Sequence, residues 1–448
     1  MSTAKVINIV HPSGTITNLV NDANGGIVIG GTLTANANVT VNGTSTFTGT
    51  LTAGNINITG NVTGNLTITG TMTAANANVT GTVVMSSSFK RNRIINGNML
   101  IDQRNAGASV TITNTSAATY VVDRFVAYGS QASKISAQQN AGSVTPPAGF
   151  KNYFGITSLS AYSITTSDVF TVAHYVEGLN CADLAWGTSS ASSVTLSFWV
   201  RSSLTGTFGG VVQNSGSSRS YTFSYTISAA NTWEKKTITI AGDTTGTWLT
   251  TNSVGIAIIW GLAVGSTYLS AAGSWGTTNY QSVTGQTSLV GTNGATFYIT
   301  GVQFEVGTVA TPYEFVTYSE QLAQCQRYYE TSFASGTAPA NGGSGSTFAN
   351  GATNIAVVAP WTNNLRQSTQ IRFFVPKRST PTMTTYGNSS GYWGYISSGT
   401  LPTGGTTFTF TADVNAQSPD STSLYVNNQV AQAVLFNVAG GWAANSEL

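Results

Sequence analysis

Val194-Thr195-Leu196-Ser197-Phe198-Trp199-Val200 alternates inward and outward positions with a period of two. That period suits a strand with one buried face. Similar runs follow at Tyr221–Ile227, Lys236–Ile240, Val254–Trp260 and Ala295–Phe304. Gly, Ser and Asn separate them, as expected of strands joined by tight turns. Short strands in this rhythm predict an antiparallel sandwich of jelly-roll type over residues 89–330. Trp199 and Trp260 fall within the alternation and read as core. Trp233, ahead of Glu234-Lys235-Lys236 at a strand start, reads as structural. A breaker-free run from Tyr318 to Tyr329 predicts a short helix with Ser319 as its N-cap.

Upstream, the text changes. From Ala23 to Phe89 there is no charged residue and no proline. Apolar residues recur singly or as i, i+2 pairs, as at Leu33, Val39 and Val41, Ile56 and Ile58, and Leu66 and Ile68, with Gly-containing turn steps between them. Gly31-Thr32-Leu33-Thr34-Ala35-Asn36-Ala37-Asn38-Val39-Thr40 nearly repeats at Gly70–Thr80, with one Ala inserted. This is the pattern of a β-repeat array. One such chain buries too little apolar surface to offset an ordering cost of roughly 1–2 kcal/mol per residue. Its strand edges would also lie open. Three chains wound around one axis answer both needs, so residues 31–88 are expected to form an intertwined homotrimeric shaft. A single-chain β-solenoid and a disordered linker are the alternatives. Residues 1–30, with Ile16, Leu19 and Ile27-Val28-Ile29 around Asn24-Gly25-Gly26, read as short strands at an attachment end. Residues 331–448 open on a flexible Gly/Ser/Ala stretch, Ala334–Gly345. Strands are expected there around Thr353–Val358, Gln370–Val375, Thr407–Asp413 and Gln429–Val438, making a small distal β-domain. The whole chain is thus expected to be all-β: shaft, jelly-roll sandwich, distal β-domain.

Composition narrows the function. Of 448 residues, 41% are hydrophobic and 7% are charged, with 49 glycines and a net charge of +2. Ordinary chains carry about a quarter charged residues. The hydrophobic share still supports real cores, which argues against general disorder. Without clustered Lys and Arg there is no electrostatic case for nucleic acid. No apolar run approaches the roughly 20 residues of a membrane helix. Met1-Ser2-Thr3-Ala4-Lys5 lacks the apolar core of a secretion signal, which points to synthesis in a cytoplasm. Cys181 and Cys325 then read as reduced, buried thiols.

Three stretches together resemble a family of bacteriophage tail-fibre proteins found in phages of marine and other aquatic bacteria. The first is the opening, Ser2–Gly14. The second is Asn92-Arg93-Ile94-Ile95-Asn96-Gly97-Asn98-Met99 with Asp102-Gln103-Arg104-Asn105-Ala106-Gly107 and Tyr120-Val121-Val122-Asp123-Arg124-Phe125. The third is Ile299–Gly307, Ala310-Thr311-Pro312-Tyr313-Glu314 and Cys325-Gln326-Arg327-Tyr328-Tyr329. The resemblance covers roughly residues 1–30 and 90–330. Where the family often carries Met-Arg-x-x-Pro-Thr, this chain has Lys377-Arg378-Ser379-Thr380-Pro381-Thr382. The resemblance implies a trimeric virion protein with its N-terminus on a tail, baseplate or adaptor protein. It also implies distal domains that face a host surface polysaccharide, and a jelly roll similar to carbohydrate-binding modules. A head fibre or decoration protein is an alternative.

No catalytic constellation emerges. His11 and His174 lack metal-ligand spacing, and there is no P-loop or nucleophile elbow, so neither metal nor cofactor is expected. A glycan-cleaving spike needs two carboxylates facing one cleft. Asp102 and Asp123 are the best pair by proximity, but each sits beside an arginine, Arg104 and Arg124, and reads as charge-paired and structural. Glu305 and Glu314 are expected to fix the last strand and exit loop. Binding is the better reading, because sugars stack on aromatic faces. The candidate contacts are Trp186 and Trp275 in Gly/Ser-rich loops, and Tyr392, Trp393 and Tyr395 in Gly391-Tyr392-Trp393-Gly394-Tyr395.

Overall fold

The computed structural model describes residues 19–21, 27–29, 90–341, 353–358, 366–386, 394–396, 411–416, 418–427 and 435–448. The proposed shaft, residues 31–88, lies outside them. The chain divides into two compact units, Met1–Val83 and Val84–Leu448. In the first, β1 (Leu19–Asn21) pairs antiparallel with β2 (Ile27–Ile29), in register Leu19 to Ile29.

The second unit contains the sandwich. Its strands are β3 (Val110–Thr111), β4 (Thr119–Val122), β5 (Phe125–Gly129), β6 (Ile135–Gln139), β7 (Phe154–Ser158), β8 (Val169–Glu177), β9 (Val194–Ser202), β10 (Gly206–Asn214), β11 (Ser220–Ile227), β12 (Glu234–Ile240), β13 (Val254–Val264), β14 (Leu269–Ser270), β15 (Trp275–Gly276), β16 (Ser282–Val283) and β17 (Thr296–Val306). One sheet runs β15-β11-β10-β13-β8-β5-β4, the other β12-β9-β17-β7-β6-β3, and neighbours within each are antiparallel. This is the expected jelly-roll β-sandwich. The inward residues of both sheets form one core. Phe125, Phe170, Val172, Phe208, Phe223 and Trp260 come from the first sheet; Phe154, Leu196, Phe198, Val200, Phe297 and Phe304 come from the second. Each such side chain contributes about 1.5–3 kcal/mol by burial. Trp260 is core as expected. Trp199 is not: Leu196, Phe198 and Val200 take the inward positions, so the pleat turns Trp199 outward.

The family-like motifs are the fastenings of this sandwich. β7 pairs with β17 only as far as Ile299, and the register with β9 shifts between Thr300 and Gln303. The open edge is taken by the incoming strap at 92–97. Val302 N donates to Gly97 O, Asn92 Nδ2 donates to Val302 O, and Phe304 N donates to Asn92 Oδ1. A Cβ on Gly97 would lie 2.1 Å from Val302 O, so only glycine allows this approach. Buried Asn96, in the left-handed region, bridges Ile101 and Asp123 through its amide. The exit loop is held as expected. Glu305 accepts from Thr311 N and Oγ1, and Glu314 accepts from the N–H groups of Lys90 and Asn92.

The exit leads into α1 (Tyr318–Gln326). Its cap is Thr317, not Ser319: Thr317 is extended and its hydroxyl accepts from Glu320 N, a Thr-x-x-Glu start. Then come β18 (Tyr329–Thr331), β19 (Thr353–Val358), β20 (Arg366–Arg372), β21 (Thr382–Tyr386), β22 (Gly394–Ile396), β23 (Thr411–Ala416), β24 (Ser421–Asn427) and β25 (Leu435–Asn445). β18, β19, β21 and β22 all pair with β25, and β20-β24-β23 form a separate sheet. The strands at β21, β22 and β24 were not foreseen in the sequence; Thr, Ser and Gly fill them and leave little apolar alternation.

The last residues return to the sandwich. Arg104 and Arg124 pair with Glu447, not with the aspartates beside them in sequence. Asp102 instead accepts from the N–H groups of Asn105 and Gly107, and Asp123 from Gln103 N and Nε2. Adjacent residues across the β4–β5 turn point apart, so sequence neighbours were the wrong partners. Arg124 is 1% exposed, lies over the Tyr328 ring at 3.6 Å and donates to Tyr175 O. Arg378 donates to Ser446 O and Glu447 O. Glu177 holds Arg327 through two hydrogen bonds and accepts from the Tyr328 hydroxyl at 2.6 Å. Lys377 pairs with Glu330, both fully buried.

Glu447→Ala would strand the Arg124 charge in the interior, and removing one partner of a buried pair costs about 3–5 kcal/mol. A urea unfolding midpoint unchanged from wild type would contradict this assignment. A pH effect follows from two other buried groups. Burial and the neighbouring Arg124 charge hold His174 well below the usual imidazole range. Burial pushes Asp123 up to about 7. Below pH ~6.5 the unfolded chain gains a proton on His174 that the native state refuses, so this residue destabilises on acidification. Native Asp123 keeps a proton that the unfolded chain loses above pH ~4, so it stabilises on acidification, and the two oppose each other. His174→Phe should therefore gain about 1–2 kcal/mol relative to wild type between pH 6.5 and 5, measured by urea unfolding at both values.

Candidate functional site

The outer face of the seven-stranded sheet carries a groove. Register aligns its floor across the strands: Val126 faces Ala173 and Ala173 faces Ile259, with Val211 beside Ile259 beyond the groove. These side chains, with Ala257, form a small apolar cluster separate from the main core. Their shortness makes the depression. One wall follows the next row, where Tyr128 faces Thr171; the other follows Tyr175, opposite Ala257, which in turn faces Gln213. The loop at 116–118, the loop at 214–217 and the segment from Tyr268 to Gln281 close the sides. The enclosed volume is about 450 Å³, within the range of small-ligand sites.

Hydrogen bonds preset the walls. The Tyr128 hydroxyl donates to Thr115 O at 3.0 Å. Arg124 holds the Tyr175 carbonyl, so the buried ion pair with Glu447 also fixes this wall. Burial raises the Tyr175 phenol, which stays protonated. Buried Gln213 donates through Nε2 to Ser220 Oγ and Asn279 Oδ1, and Gln281 Nε2 donates to the same Asn279 oxygen at 2.6 Å. This leaves the Asn279 amide nitrogen without a partner among the described residues. The lining contains no Asp, Glu, His, Lys, Arg or Cys. It offers aromatic faces, aliphatic floor and neutral amides, with no group that could exchange a proton at neutral pH.

The two loop tryptophans lie away from the groove. Trp186 is 7% exposed. Its ring meets Trp248 at 4.7 Å, Trp275 at 5.4 Å and Phe304 at 6.1 Å, and its indole N–H donates to Ser192 O. It is a core residue, because the loop that carries it folds under the sheet end. Trp275 is half-buried on β15 against Tyr221, with Arg219 over its ring and its N–H on Ala241 O. Neither lines the groove. Tyr392 and Trp393 lie outside the described residues, and Tyr395 lies on β22 opposite Val438. The groove residues escaped the sequence reading because Ala173, Ala257 and Gln213 are unremarkable within strands; only register brings them together. Among the described residues no group of three or more His, Cys, Asp or Glu is placed to hold a metal ion. No helix there is long and apolar enough to cross a membrane.

No family model matches this chain, and no curated protein matches it. Among solved structures it is similar to the enzymatically active domain of tailspike protein 4 of bacteriophage CBA120, with 12% identity over 47% of this chain and 23% of that one, at a TM-score of 0.25. It is similar to a CBM4 structure, with 12% identity over 41% of this chain and 95% of the other, at a TM-score of 0.24. It is also similar to a family 11 carbohydrate-binding module from Clostridium thermocellum in complex with a β-1,3-1,4-mixed-linked tetrasaccharide, with 12% identity over 45% and 98% and a TM-score of 0.23. This chain spans less than a quarter of that tailspike structure. At such TM-scores none of the three bears on what the groove holds.

Trp186→Ala should lower stability by about 3–5 kcal/mol, as expected for a large cavity, while leaving groove ligands unaffected at temperatures where the variant is folded. Unchanged urea unfolding would return Trp186 to the surface.

Proposed function

We propose that this chain is a bacteriophage tail-fibre subunit that binds a neutral surface glycan in the groove of its jelly roll without cleaving it. The observation that carries the binding half is the groove lining: tyrosine walls, aliphatic floor, preset amides and no charge. Sugar rings present apolar C–H faces that pack on aromatic side chains and hydroxyls that pair with amides. A charged ligand would find no countercharge here. Cleavage of a glycosidic bond needs two carboxylates, and the lining supplies none. The virion half rests on the motif resemblance at 1–30 and 90–330. In this reading residues 1–30 attach to the tail, residues 31–88 assemble three chains, and the sandwich meets the host cell.

The test uses the purified full chain and host surface polysaccharide. Tyr175→Ala and Tyr268→Ala should each weaken binding about tenfold, equivalent to about 1.4 kcal/mol, in isothermal titration calorimetry. Unchanged affinity in both would remove the groove from consideration. Release of reducing ends from the polysaccharide would overturn the claim that the protein does not cut.

A further inference from the structure

We infer that the groove selects sugars bearing an acetamido group, which Asn279, Gln213 and the floor at Ala257 recognise. The inference rests on the proposal that the groove holds a neutral glycan, and it names the class of sugar.

Three side-chain amides, those of Gln213, Asn279 and Gln281, line one side of the groove. Their hydrogen bonds decide which end of each is free. Asn279 Oδ1 accepts from Gln213 Nε2 at 2.9 Å and from Gln281 Nε2 at 2.6 Å. Gln213 Nε2 also donates to Ser220 Oγ and Tyr280 O. Both glutamine nitrogens are thus engaged. What remains is one donor, Asn279 Nδ2, beside two acceptors, the side-chain oxygens of Gln213 and Gln281; none of the three has a partner among the described residues. Gln213 is only 3% exposed, and a buried amide with an open end is costly until something meets it. Asn214, also in the lining, differs, because Ser218, Arg219 and Thr247 use its amide at both ends.

The backbone that carries Asn279 is fixed in place. A Cβ on Gly261 would lie 2.5 Å from Ser282, and one on Gly209 would lie 2.6 Å from Val283, so two glycines let this segment rest on the sheet. On either side of Asn279, Ser220 Oγ donates to Thr278 O and Gln281 N donates to Tyr268 O. A secondary amide has ends that match the free groups, since its carbonyl accepts and its N–H donates. Register supplies a third contact. Ala257 lies opposite Gln213 on one side and opposite Tyr175 on the other, so a methyl-sized apolar floor adjoins the amides. An acetamido group brings carbonyl, N–H and methyl in one piece. An amino sugar brings a cation and a uronic acid a carboxylate, and the lining has no counter-charge for either. A sugar with hydroxyls alone leaves the floor at Ala257 uncovered.

The experiment is a saturation-transfer NMR titration of the full chain. The probes are N-acetylglucosamine, N-acetylgalactosamine and N-acetylmannosamine, each beside its parent hexose, with glucosamine as a charged comparison and host polysaccharide as a control. Single sugars remove linkage as a variable. At least one N-acetyl sugar should bind about tenfold tighter than its parent hexose, with the strongest saturation at the acetyl methyl, and glucosamine should bind no better than glucose. Asn279 is exposed, and Asn279→Asp keeps an oxygen for both glutamines while removing the donor. This variant should lose the preference and still bind the parent hexoses, whereas Tyr175→Ala should weaken every sugar. If polysaccharide binds but no N-acetyl sugar exceeds its parent, or if the preference survives Asn279→Asp, the acetamido assignment is overturned and the groove stands as a glycan site. If neither polysaccharide nor any sugar binds, or if binding ignores Tyr175→Ala, the groove itself is overturned as the glycan site.

Discussion

The guanidinium of Arg124 is the interaction on which most of the second unit depends. A cation almost wholly out of water must be paired. Its partners come from every part of the fold: Glu447 from the end of the chain, the Tyr175 carbonyl from the wall of the groove, and the Tyr328 ring from the exit of α1. Satisfying this one charge fixes the β4–β5 turn, the last three residues and one side of the candidate site together. The neighbouring Arg104 adds a second bond to Glu447 and stacks on Tyr329 at 3.6 Å. Buried ion pairs such as Arg124–Glu447 and Lys377–Glu330 join segments far apart in the chain.

The same economy explains the motifs at the two ends of the sandwich. Asn92 and Gly97 meet the bulge of β17 and Asn96 ties Ile101 to Asp123; Glu305 and Glu314 close the exit; Arg327 and Tyr328 converge on Glu177. A sandwich with an open strand edge and an irregular register invites wrong pairing. Asparagine suits the seam because one amide serves as both donor and acceptor. Glycine suits it because the backbone can approach within contact distance. These residues join the strands and loops at the two ends of the sandwich. The groove is lined by other residues, on β5, β8, β10 and β13 and the loops between strands. Its wall at Tyr175 is nevertheless tied to the seam through Arg124, so the position of the last residues and the shape of the groove are mechanically linked.

Much of the fold was legible in the chain itself. Period-two alternation at Val194–Val200 and Ala295–Phe304 needs one buried face, whatever lies opposite it, and so β9 and β17 could be read directly. Buried thiols and a short helix after the sandwich followed from composition and from the absence of breakers. The sequence could not decide which arginine meets which carboxylate, because Glu447 lies more than three hundred residues from both. It placed Trp186 and Trp275 at a binding surface because they stand among small residues. The tertiary structure folds one of those loops beneath a sheet end and uses its indole as core. It also turns Trp199 outward, since the pleat allows only alternate residues inside. The groove was invisible for a further reason: its floor is Val126, Ala173, Ala257 and Ile259, from three different strands, and only antiparallel register sets them side by side. Local pattern therefore determined which segments are strands and which faces they bury, because those depend on the solvent preference of each side chain. Tertiary structure decided the partners of the charges and the location of the site, because both depend on distances between segments that the order of residues does not encode.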